Sequence, residues 1–108
     1  KNAIGVSPEK LTPVEGTDTF EIRSSYFDLD LNRHVTSSRY IDWMMDTFSL
    51  DFHESHYPVR LSVNYLKETM PGETIRIERQ QPNENEFHFE GTNLSNQTSA
   101  FRGRIDFA

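Results

Sequence analysis

The sequence has no cysteine. That excludes disulfides, thiolate metal sites and a cysteine nucleophile together, and it fits a reducing compartment. No apolar run approaches the ~20 residues needed to span a bilayer. Positive charge is not in excess either: 11 Lys and Arg stand against 17 Asp and Glu, a formal net charge of -6. That balance disfavours nucleic acid and anionic lipid surfaces as partners. Apolar residues are sparse, at 34% with a mean hydropathy of -0.72. The chain begins at Lys1 with no initiator Met, so we expect a fragment whose targeting segment, if any, lies upstream.

What is present is one domain's worth of chain, 108 residues, with eight Phe, four Tyr and one Trp. A domain of this size buries roughly two-thirds of the surface its unfolded chain exposes. Each aromatic removes a large area from water. We therefore expect a small, aromatic-rich core, completed by a neighbouring domain.

Residues 1–17 contain Gly5, Pro8, Pro13 and Gly16 with no sustained period, and read as a linker or arm. The domain proper is residues 18–108. Phe20, Ile22, Ser24 and Tyr26 alternate with polar residues, which predicts a half-buried strand. Thr36, Ser37 and Ser38 offer hydroxyls for a helix N-cap. From Ser38 to about residue 50 the apolar positions Tyr40, Ile41, Trp43, Met44, Met45, Phe48 and Leu50 cover a wide arc. Asp42, Asp46 and Ser49 share a narrow polar stripe. This predicts one long helix that its partner wraps. Alternation resumes after a loop at residues 53–56. Tyr57, Val59, Leu61, Val63 and Tyr65 share one face, opposite Arg60, Ser62 and Asn64. Turns at Pro71-Gly72, residues 82–85 and residues 93–97 separate three further strands, around Ile75 and Ile77, Phe87 and Phe89, and Phe101 to Phe107. Consecutive strands with short turns pair antiparallel. The expectation is an α+β hotdog: a curled antiparallel sheet of about five strands around one long central helix.

Asp28, Asp30, Asn32 and His34 continue the even phase of the first strand up to the helix start. An extended segment would turn these side chains to one side, next to backbone N–H groups that favour negative charge. Hydrolysis of an acyl group needs a base for water, a group to orient it and donors for an oxyanion. On spacing alone, an ordinary capping turn accounts for these residues better, because Asp, Asn and His also dominate turns.

Asp30-Leu31-Asn32-Arg33-His34-Val35, followed by Tyr40-Ile41-Asp42-Trp43, resembles the signature of acyl-acyl carrier protein (ACP) thioesterases. Val63-Asn64-Tyr65-Leu66-Lys67-Glu68 is similar to a second motif of that family, Tyr-x-x-Glu at a strand end. The resemblance covers about residues 18–108. It implies two fused hotdogs, this chain being the C-terminal one, with the acyl chain held partly by the other. Asp30, Asn32, His34 and Glu68 would be the catalytic group, and the reaction would be hydrolysis of fatty acyl-ACP to free fatty acid, with no cofactor. The partner would be ACP carrying a fatty acyl phosphopantetheine, received by Arg33, Arg39 and Lys67. Pairing with another hotdog, and a homo-oligomer, are implied as well. The location would be the cytoplasm in a bacterium or an organelle stroma in a plant.

Two departures bear on mechanism. Thr36-Ser37 stands where the family usually has Asn-Asn. Thr69 follows Glu68 where many plant members carry Cys. With no thiol, the chemistry implied is carboxylate-and-water, and Thr69→Ala is expected to be nearly silent. Strict alternation places Glu68 in phase with Ser62 and Asn64, away from the helix, unless a β-bulge near Leu66 re-aims it. His53-Glu54-Ser55-His56 does not have zinc-protease spacing, and we expect loop histidines and no metal. Arg102 and Arg104 read as a solvated sheet face. Two other functions stay open: a hotdog thioesterase on small acyl-CoA, and a non-catalytic acyl-binding or interaction hotdog.

Overall fold

The computed structural model describes residues 9–25 and 38–108, together with the backbone of residues 5–6. Along the chain run β1 (Gly5–Val6), β2 (Asp18–Arg23), α1 (Ser38–Met45), α2 (Leu50–Ser55), β3 (Pro58–Tyr65), β4 (Thr74–Asn83), β5 (Glu86–Asn93) and β6 (Thr98–Phe107). The strands form one sheet in the order β1-β3-β6-β5-β4-β2. β2 to β6 pair antiparallel, and β1 adds a two-residue parallel contact to Arg60 and Leu61 of β3. The five alternating segments read from the sequence are thus five curled antiparallel strands. Pro82 cannot donate to a ladder, and it falls where the β4–β5 register shifts between Gln80 and Asn83. Gly72, with φ +82°, makes the turn that feeds β4.

One face of the sheet holds the core. Trp43 and Met44 of α1 are buried with Ile75, Ile77, Phe89, Phe101 and Ile105. Gly103 leaves a notch in β6 that Met44 fills, since a Cβ there would collide with the Met44 sulfur. Among the described residues no helix is long and apolar enough to cross a membrane.

The single long helix is not what forms. The helical run stops at Met45, and a second short helix starts at Leu50, so residues 53–55 are helical too. The polar side chains explain the break. Thr47 Oγ1 donates to Met44 O at 2.7 Å, closing off the end of α1. Ser49 is extended (φ -71°, ψ 162°), and its Oγ accepts from Phe52 N, which caps α2. Arg79, from the core face of β4, donates to Thr47 O at 2.8 Å. Its guanidinium lies 5.0 Å from the Phe20 ring and 4.7 Å from the Phe48 ring. Phe48 stacks on Phe52 at 4.7 Å across the break.

The other sheet face is not simply solvated. Leu11 and Val14 are buried on it. Leu11 N donates to Asn64 Oδ1, Val14 N to Glu90 Oε1 and Gly16 N to Glu78 Oε1. Arg102 donates to buried Glu90 at 2.9 Å. Arg104 joins Asp106, Glu86 and Glu9. The two arginines are therefore partners in a partly covered ion network, not free surface charges.

Candidate active site

Residues 66–73 join β3 to β4 and carry Lys67, Glu68 and Thr69. At the end of β3, Leu66 N and Lys67 N both donate to Ala100 O, at 2.9 and 3.1 Å. Two residues facing one carbonyl is the pattern of a β-bulge, and it ends the strict alternation. Glu68 is exposed, whereas Thr69 is fully buried. The loop's far end is fixed by Glu73 Oε1, which accepts from Met70 N at 2.7 Å and from buried Asn93 Nδ2 at 2.9 Å.

Two further anchors tie this loop to β2 and α1. Ser24, just after β2, donates from its amide to Glu73 O at 3.0 Å and from its hydroxyl to Met70 O at 2.9 Å. Tyr40, in the first turn of α1, donates to Lys67 O at 3.3 Å and lies 2.6 Å from Thr69 Oγ1. The connection from β2 to α1 therefore leaves and re-enters the described fold at points bonded to the Glu68 loop. Burial raises the Tyr40 pKa above the usual phenol value. The bonds with Thr69 oppose that rise, and the negative charges of Glu73 and Glu68 add to it.

Asp30, Asn32, Arg33 and His34 lie outside the described residues, as do Asp28, Tyr26, Thr36 and Ser37. Of the basic residues expected near the site, Arg39 is ion-paired to Asp42 at 2.7 Å, one turn into α1. The Lys67 side chain is exposed. The histidines of α2 and its end serve local structure: His53 Nε2 donates to Met45 O at 2.9 Å and His56 Nδ1 to Phe52 O at 3.0 Å. An open cleft of about 380 Å³ lies between β2 and α1. Phe20, Ile22 and Trp43 give it apolar walls, and Arg23, Arg39 and Asp46 also line it.

Sequence reasoning missed the Tyr40–Thr69 pair. Tyr40 reads as an apolar position on a helix, and Thr69 as a vacant cysteine position. Their partnership joins residues 29 apart, with no local signal. It also gives the Thr69 hydroxyl a buried partner, whose loss would leave Tyr40 without that bond.

A curled antiparallel sheet packed on α1 defines a domain of the hotdog class. Solved structures share the fold. An acyl-ACP thioesterase from Bacteroides thetaiotaomicron superposes with a TM-score of 0.81 at 26% identity, covering 93% of this chain and 42% of that one. The 12:0-ACP thioesterase from Umbellularia californica gives 0.81 at 18% identity, over 93% of this chain and 39% of that one. A chloroplastic dodecanoyl-[acyl-carrier-protein] hydrolase from Cinnamomum camphora is 37% identical over 41 residues, 38% of this chain and 11% of that protein. The acyl-ACP thioesterase C-terminal domain model matches residues 12–107, and the chain belongs to that family. It spans about two-fifths of each of the two solved relatives.

Proposed function

We propose that this domain supplies the catalytic residues for hydrolysis of fatty acyl-ACP, releasing free fatty acid. The observation that carries the reading is the anchoring of the Glu68 loop. Ser24 and Tyr40 hold it against both ends of the connection that bears Asp30, Asn32 and His34. The described residues that flank this connection are thereby tied to the loop that carries Glu68.

In the proposed reaction Glu68 takes a proton from water as the water oxygen adds to the thioester carbon. Water is a poor nucleophile at neutral pH and needs such a base. The Asn32 amide orients the water or the carbonyl, and Asp30 fixes the local geometry. The start of α1 favours the oxyanion. Collapse breaks the C–S bond, and the leaving sulfur takes a proton with help from His34. The acyl phosphopantetheine arrives on ACP, an acidic carrier, and Arg33, Arg39 and Lys67 form the basic side of its approach. A second hotdog domain completes the acyl site. The half-exposed Val59 and Tyr65 of β3, and the more exposed Tyr57 just before it, suit such a neighbour.

The test is turnover of acyl-ACP by the intact protein, beside the same chain on CoA. Glu68→Gln keeps shape and removes the base, so it should lower turnover by about 10²–10⁴-fold. Full turnover in that variant would sink the reading. A preference for acyl-CoA would move the substrate to the other thioesterase class.

A further inference from the structure

Glu68 is exposed on a connecting loop, yet a base acts only from a fixed position. The backbone on both sides of it converges on one phenol. Tyr40 Oη bonds to Lys67 O, the carbonyl just before Glu68, at 3.3 Å. It also bonds to Thr69 Oγ1, the side chain just after Glu68, at 2.6 Å. A phenol has a single proton. With that proton on the Lys67 carbonyl, the Thr69 hydroxyl must donate to Tyr40. The resulting chain runs from Thr69 through Tyr40 to the Lys67 carbonyl, and it spans Glu68.

The phenol is itself fixed. Its ring stacks on Phe101 at 4.7 Å and meets Trp43 at 5.5 Å. Tyr40 and Thr69 are both buried. Ala100, next to Phe101, receives the Leu66 and Lys67 amides. The Tyr40 pKa is raised chiefly by burial, with the charges of Glu73 and then Glu68 adding to the rise.

We propose that Tyr40 and Thr69 are positioning residues for Glu68: a buried hydroxyl clamp that sets the backbone from which the acid reaches the thioester. The proposal rests on the reading of Glu68 as the base. It gives Thr69 a task that needs no thiol, in a position next to the acid.

The experiment is a double-mutant cycle in the intact protein, with acyl-ACP as substrate. Tyr40→Phe keeps the ring and removes both bonds. It should lower kcat by about 10- to 100-fold, the scale of an ångström-sized misplacement, with KM within about threefold. Thr69→Ala should show a smaller loss of the same kind, and Thr69→Ser should restore kcat. In the Glu68→Gln background, Tyr40→Phe should cause no further loss, because it acts only through that acid. Circular dichroism melting confirms that each variant is folded at the assay temperature. A folded Tyr40→Phe with full kcat, or one whose loss multiplies that of Glu68→Gln, overturns the clamp and leaves Glu68 as the base. A silent Glu68→Gln overturns the assignment of the base, and the clamp with it.

Discussion

Trp43 and Tyr40 lie on one helix face and have different tasks. Trp43 fills the core between α1 and the sheet, and its replacement by Ala should cost about 3–5 kcal/mol. An unchanged urea midpoint would contradict that placement. Tyr40 adds a titration. Its pKa is raised above 10.0, chiefly by burial. The folded state therefore holds the phenol proton more tightly than the unfolded state does. The stability this contributes is complete below the unfolded pKa and is lost as pH rises through the folded one. Melting temperature should fall with pH above about pH 10, and Tyr40→Phe should make that fall shallower. An equally steep fall in the variant would show that the phenol is not so placed. At this scale the sequence was half legible. Trp43 and Met44 announce their burial through helical spacing. The Tyr40–Thr69 bond does not, because it depends on how β3 ends against β6.

The strands were the most legible elements. Alternation at Phe20 and Ile22, and at Phe87 and Phe89, is a period that only a half-buried strand satisfies. The helical region was less so. Phe48 and Phe52 prolong the apolar period across the break, so periodicity reads one helix where there are two. The competing signal was present in Thr47 and Ser49, hydroxyl residues that turn to backbone groups at helix ends. Deciding between the signals took a third party, Arg79, which no local pattern aligns with Thr47. Ser49→Ala removes the cap of α2 and should cost about 0.5–2 kcal/mol. Arg79→Met keeps length while removing the bonds to Thr47 and the charge over Phe20 and Phe48. Its effect on the thermal midpoint should exceed that of Ser49→Ala, and the reverse order would mean that the break is held from the helix side alone.

At the scale of the molecule, the two sheet faces obey different physics. One is closed by aromatic packing. The other is held by charges and responds to acid. The Glu86 pKa is lowered by its bond from Asn83 and then by His88, with Arg104 adding charge. A lowered carboxyl contributes stability that is present above its unfolded pKa and lost as pH falls through the folded value. Glu86→Gln should therefore flatten the acid limb of a melting-temperature profile while leaving the alkaline limb unchanged. An unaltered acid limb would place the dependence elsewhere. Val59 and Tyr65 of β3, with Tyr57 just before it, present exposed apolar side chains, a common basis for association. Light scattering should find self-association at high concentration; a strict monomer would count against pairing through this strand. The segment at residues 9–16 lies across the charged face, but it pairs through side chains: Leu11, Val14 and Gly16 give their amides to Asn64, Glu90 and Glu78. Lifting residues 9–16 would leave the pairing of β2 to β6 intact, yet it would deprive buried Glu90 of one of its donors. The arm and the sheet thus meet along a seam of amides and carboxylates, in which one buried acid, Glu90, serves both sides.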